Sequence, residues 1–260
     1  MSTVSKVNLE RRGVEVVFKD VNVEYSGGFV ALRDASLTLQ AGQLVCVLGR
    51  SGCGKSTLLR ALAGLVPIRT GTITSGGVSV IGPGSDRAMV FQEDCVFPWM
   101  RAGANVRFAL NCNGVKGQAA ARRAQEALEE VGLGKFARAW PAQLSGGMRS
   151  RVAVASVFSV RPSVLLADEP FGALDYITRR SMQELLLVSW TRTKPTVVFV
   201  THDVDEAMVL ADRVLVVDDG SVRADHKITL ERPRTEDILS SPEAVALKKM
   251  LLNELHVTSV

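Results

Sequence analysis

The run Gly49-Arg50-Ser51-Gly52-Cys53-Gly54-Lys55-Ser56-Thr57 constrains this chain more than any other stretch, because it fits the phosphate-cradling pattern G-x-x-x-x-G-K-[ST]. Its setting is the one the pattern requires. Leu44-Val45-Cys46-Val47-Leu48 before it reads as a short buried strand, and residues 56–63 after it read as a helix. Glycine lets the backbone curl until successive N–H groups face a phosphate chain, and the helix N-terminus adds the positive end of its dipole. Lys55 is then within reach of β- and γ-phosphates, and the Ser56 hydroxyl can ligate Mg²⁺.

The flanking patterns extend this strand–loop–helix unit into a fold. Val14, Val16 and Phe18 alternate as a strand should, and Val21, Val23 and Tyr25 follow with the same period before the Ser26-Gly27-Gly28 turn. Residues 35–39 resume a strand, so short strands ahead of the loop predict an antiparallel β flap. Gly64 and Pro67 end the loop's helix, and glycine-punctuated short strands run on to Phe91. From about residue 98 to 160 the chain turns alanine-rich, with helical spacing over 119–131. Strand patterns return at 164–167, 196–201 and 214–218, separated by helical stretches, and 242–255 reads as one tail helix. The expected fold is α/β, a parallel core sheet carrying the flap and a helical insertion subdomain. It forms one domain over 14–256, with the core in 14–92 and 162–225, the helical subdomain in 93–161 and a C-terminal tail in 226–260.

Bulk properties narrow the partners. A net charge of +4, from 31 basic and 27 acidic residues among 260, is too mild to argue for nucleic acid. Arg149/Arg151 and Arg179/Arg180 fall on expected helices and read as solvated faces. Cys46, Cys53, Cys95 and Cys112 show neither C-x-x-C spacing nor a neighbouring histidine, so they read as free thiols of a reducing compartment. The apolar run 152–160 is about half of what spans a bilayer, and the first twelve residues lack an apolar signal core. The expectation is a cytoplasmic chain that reaches any membrane by docking to a partner.

The second half of the site follows. Val164-Leu165-Leu166-Ala167-Asp168-Glu169 is an apolar strand ending in adjacent carboxylates. Asp168 at the strand tip suits Mg²⁺, and Glu169, pointing elsewhere, suits a general base for an attacking water. Leu144-Ser145-Gly146-Gly147-Met148 precedes another expected helix and makes a second anion-binding turn. One nucleotide and two such devices fit a second device that serves a neighbour's nucleotide.

LSGGM, then about twenty residues on LLADEP, with Gln92, Asp175 and His202 at suitable intervals, resembles the ATPase subunit of ATP-binding cassette (ABC) transporters over nearly the whole chain from Val14. The resemblance implies a P-loop NTPase fold with a RecA-like core. It implies that Tyr25 stacks on adenine, that Gln92 touches Mg²⁺ or the attacking water and senses a transmembrane partner, that Asp175 lies in a D-loop at a dimer interface, and that His202 hydrogen-bonds the γ-phosphate. Phe97-Pro98-Trp99, Asn105-Val106 and the run from Pro170 to Asp175 with Thr178-Arg179 resemble the bacterial nitrate/sulfonate/taurine importer group. Three positions depart from the family pattern: Ser150 for Gln, Ser156 for Arg and Ala167 for Leu. None removes a catalytic group, though the two on the signature helix bear on packing and coupling.

The resemblance implies a homodimer that buries two ATP molecules. Each phosphate loop, with Asp168 and Glu169, faces the partner's Ser145, Gly146 and Gly147. Such a dimer sits on the cytoplasmic face of the inner membrane, docked through residues 92–105 to permease subunits served by a solute-binding protein, with no nucleic acid. The competing class is a soluble ATPase switch of the same fold, which usually carries tandem cassettes or a long coiled-coil insertion; this chain has one cassette and no heptads. A small-molecule kinase with a phosphate loop would account for neither Ser145, Gly146 and Gly147 nor His202.

Overall fold

The first strand contains a parity change that no regular strand tolerates. Val16 and Phe18 are even-numbered, Val21 and Val23 odd-numbered, and all four are buried. The computed structural model, which describes residues 12–92 and 95–257, resolves the conflict with a β-bulge. β1 (Val16–Tyr25) runs unbroken, Asp20 adopts φ 49°, and the pairing with β2 (Phe29–Leu39) slips between Phe18 and Val21. β3 (Leu44–Leu48) and α1 (Lys55–Ala63) flank the glycine-rich loop, followed by β4 (Thr70–Ser75), β5 (Val78–Ser79) and β6 (Arg87–Val90). β2, β1, β4 and β5, in that order, form the antiparallel flap.

The second sheet has the order β10-β9-β3-β8-β7-β6, with β7 (Val164–Asp168), β8 (Thr196–Val200), β9 (Arg213–Asp218) and β10 (Ser221–Lys227). Five strands are parallel, and β10 pairs antiparallel with β9. β3, β7 and β8 are buried throughout, as strands covered on both faces must be. In β3, Leu44, Cys46 and Leu48 join the core on the helical side, while Val45 and Val47 join the core shared with α1 and the flap. Thr196 stitches the layers: its hydroxyl donates to the Val14 carbonyl and accepts from the Gly42 N–H.

Between β6 and β7 lie α2 (Ala102–Cys112), α3 (Gly117–Glu130) and α4 (Gly146–Ser159), which pack on one another. Buried Asn105 holds the preceding loop, accepting from Phe97 N at 2.7 Å and donating to Met100 O at 3.0 Å. α5 (Tyr176–Thr193) and α6 (Val204–Leu210) cover the helical side of the sheet. α7 (Glu236–Leu239) and α8 (Pro242–Val257) close the chain. A core ending at 225 cuts β10, which continues to Lys227. The arginines expected on solvated faces are anchored: Arg149 donates to Leu144 O, Arg151 to Val131 O and Arg179 to Leu174 O. Each caps a carbonyl that its own loop or a neighbouring helix end leaves unpaired. Ser150 and Ser156 turn their hydroxyls onto Gly146 O and Val152 O of their own helix. Among the described residues no helix is long and apolar enough to cross a membrane.

Candidate functional site

The carboxyl ends of the parallel strands carry the site, where open α/β sheets bind ligands. After β3 the chain curls through the glycine-rich loop, and Gly54 caps α1 in a left-handed conformation at φ 108°. A side chain there would drive its Cβ to 2.5 Å from the Ala31 carbonyl, so the flap seals the back of the loop. Gly49 is equally confined, with Val217 O 2.3 Å from where a Cβ would stand. Lys55 is 5% exposed, and its ammonium donates to Gly49 O and Arg50 O, both at 2.8 Å. The loop thereby wraps its own cation. No acidic residue sits in the first turn of α1 to cancel the helix dipole, which leaves this end suited to an anion. Cys53 is buried under the loop, and burial raises its thiol pKa. Ser51 and Gly52 form the exposed crest of the loop.

In the first turn of α1, Ser56 Oγ donates to Asp168 Oδ1 at 3.0 Å. Asp168, the last residue of β7, is 2% exposed, and burial raises its carboxyl pKa while the Ser56 hydrogen bond opposes the rise. A hydroxyl and a buried carboxylate side by side are hard oxygen donors of the type Mg²⁺ takes. Among the described residues no cluster of three or more His, Cys, Asp or Glu could cage a metal alone.

The next residue turns away. Glu169 adopts φ 45°, a strained conformation for a residue with a Cβ, while its N–H donates to Val200 O. Its Oε2 meets Nδ1 of His202 at 3.0 Å. The pairing follows from register, since Asp168 lies opposite Val200 in neighbouring parallel strands. His202 is exposed (68% of its side chain), and Glu169 is largely covered. Immediately after His202, Asp203 caps α6 through the N–H groups of Asp205 and Glu206. Glu206 is buried, accepts from Gln183 Nε2 at 3.1 Å, and has its pKa raised by burial. Arg179 stands 3.9 Å from Asp203 in this supporting cluster, whose other members Gln183, Asp203 and Glu206 carry no motif signal because they are far apart in sequence and ordinary in type.

The remaining expected residues stand around this centre. Tyr25 ends β1 with its hydroxyl 3.3 Å from Thr57 Oγ1, at the flank of α1. Gln92 is exposed, two residues beyond the point where β6 pairs with β7 at Val90 and Ala167. Asp175 caps α5, accepting from the N–H and hydroxyl of Thr178, and those hydrogen bonds lower its pKa. Ser145 caps α4 by accepting from Met148 N, and it and Gly146 face solvent. α4, which this turn opens, packs against α2, α3 and β6 in the helical layer. The structure gathers Lys55, Ser56, Asp168, Glu169 and His202, and leaves Ser145 and Gly146 exposed with Gly147 half-buried beside Leu174.

The chain matches the family model described as ABC transporter over residues 32–172. It is 48% identical to the aliphatic sulfonates import ATP-binding protein SsuB 2 of Nocardia farcinica, over 89% of this chain and 90% of that protein. It is 44% identical to the nitrate import ATP-binding protein NrtD of Synechocystis sp., over 81% of this chain and 79% of that one. Among solved structures, a dimeric post-hydrolysis state of the ATP-binding cassette MJ0796 with ADP and Pi superposes with a TM-score of 0.76. The match is at 31% identity and covers 82% of this chain and 98% of the cassette.

Proposed function

The chain belongs to the ABC transporter family, and from that premise we propose that it is the ATP-hydrolysing subunit of a bacterial importer for a small anionic or zwitterionic nutrient such as nitrate, a sulfonate or taurine. The names of its relatives support the importer branch. The observation that carries the chemistry is the pairing of Ser56 with Asp168 and of Glu169 with His202 beside one phosphate loop.

In this reading the glycine-rich loop cradles the phosphates of ATP through its backbone N–H groups, and Lys55 swings from the carbonyls of Gly49 and Arg50 to the β- and γ-phosphates. Tyr25 stacks on adenine. Ser56, Asp168 and Gln92 would hold Mg²⁺, which when bound neutralises charge on the phosphate oxygens. Glu169 takes a proton from water as its oxygen attacks the γ-phosphorus; the bond to the β-phosphate oxygen breaks, leaving ADP and phosphate. His202 orients the Glu169 carboxylate and hydrogen-bonds the γ-phosphate. Ser145, Gly146 and Gly147 complete the site of a second copy, with Asp175 at the interface between them. Two isologous sites then close and open with ATP binding and hydrolysis, driving permease subunits docked near residues 92–105 on the cytoplasmic face of the membrane.

Two experiments test this. Glu169→Gln should abolish turnover and keep ATP binding; near-native hydrolysis would remove Glu169 as the base. Purified with a tag from detergent-solubilised native membranes, the chain should bring a stoichiometric polytopic protein, identified by mass spectrometry. Recovery with soluble proteins or nucleic acid alone would remove the importer assignment and leave an ATPase switch.

A further inference from the structure

The helix that follows His202 is too short to hold its own place. α6 has seven residues, a length that is marginal in water without tertiary support. Much of that support comes from the C-terminal segment. Arg234 is 7% exposed, and its guanidinium donates to the carbonyls of Met208 (2.8 Å), Val209 (3.4 Å) and Ala211 (2.6 Å). These lie in the last turn and exit of α6, where carbonyls lack helical partners. Arg232 adds bonds to Leu210 O and, at 2.8 Å, to Asp212 Oδ1. Burial, with Arg232 adding to it, pushes the Arg234 guanidinium down to about 10, so it stays charged at neutral pH.

At the other end of α6, α8 packs alongside and Lys248 pairs with Asp205 at the surface. α8 is itself fixed, by Leu251 and Ala244 in the core and by His226 Nε2 against Glu254 Oε1 at 2.8 Å. The same helix faces the phosphate loop. Lys248, Leu252 and Leu255 line a cavity of about 620 Å³ together with Gly49, Arg50 and His202.

We propose that residues 228–255 form a brace that sets His202 against the phosphate loop, with Arg234 and Lys248 as positioning residues at the two ends of α6. The inference rests on the reading of His202 as a partner of the γ-phosphate, and extends it by giving the tail a part in the same step. A small displacement of a group aimed at the transition state lowers kcat, whereas ATP affinity is held by the phosphate loop.

The test measures ATP hydrolysis for Arg234→Lys and Lys248→Met, each alone and combined with His202→Ala. Each single variant should lower kcat by about three- to tenfold with KM for ATP changed less than about twofold. Neither should lower kcat further once His202 is alanine. An equal loss in the His202→Ala background, no loss in the native background, or a change in KM alone would overturn the brace. The two levels separate cleanly: native kcat in His202→Ala removes the histidine's role and the brace with it, while a lowered kcat with uncoupled tail variants removes the brace alone. Should Arg234→Lys fail to fold, Lys248→Met, at a solvent-accessible position, carries the same comparison.

Discussion

Lys55 and Glu206 are both charged groups drawn into the interior, and their surroundings give them opposite consequences. Lys55 is solvated by two loop carbonyls at 2.8 Å, a cation stored beside the place an anion would occupy. Lys55→Ala should weaken ATP binding about 10- to 150-fold, the range set by about 1.5–3 kcal/mol for a hydrogen bond to a charged group. Titration with a fluorescent ATP analogue checks this, and unchanged affinity would contradict the assignment. Glu206 bears a carboxylate that burial disfavours, so its pKa is raised in the folded chain. A carboxyl of this kind contributes stability below its unfolded pKa and loses that contribution as pH rises through the folded value. Glu206→Gln, which keeps an acceptor for Gln183, should therefore raise the thermal midpoint at pH 8. The advantage should shrink as pH falls toward the ordinary carboxylate range. A gain that persists unchanged at pH 4 would show that ionisation is not its source.

At the scale of elements, stability depends on bonds that join layers as much as on the strands themselves. Thr196, at the start of β8, is fully buried and links the Val14 carbonyl and the Gly42 N–H. Thr196→Val keeps the shape and strands both partners, so unfolding by urea should show a loss of about 1–3 kcal/mol. A neutral result would mean that water replaces the hydroxyl. The strands that hold the site were legible in the sequence because each is an uninterrupted apolar run, β3, β7 and β8 above all. The bulge in β1 was legible only as a parity change, Phe18 to Val21, whose meaning needs the partner strand. β10, Ser-Val-Arg-Ala-Asp-His-Lys, escaped because an antiparallel edge strand carrying charge has almost no apolar signal. Within the site, Lys55, Ser56 and Asp168 were readable from spacing. The Glu169–His202 contact depends on the register of β7 with β8, and the Arg234 grip on α6 depends on a tail folding back across the sheet. Neither has a local pattern.

At the scale of the whole molecule, the central claim is that a single chain holds two halves that belong to different sites. The Ser145 turn opens α4 on the helical layer with Ser145 and Gly146 exposed, and in the proposed assembly a C2 pairing is the closed symmetry that brings both halves of both sites together. In the proposed cycle ATP acts as a ligand with differential affinity for the closed pair, and hydrolysis removes that preference. The most direct measurement is the mass of the Glu169→Gln chain by light scattering, with and without Mg-ATP, and again after adding Ser145→Arg. A monomer is expected without nucleotide, a dimer with saturating ATP, and a monomer again when arginine fills the signature turn. A monomer at saturating ATP, or a dimer indifferent to Ser145→Arg, would contradict it.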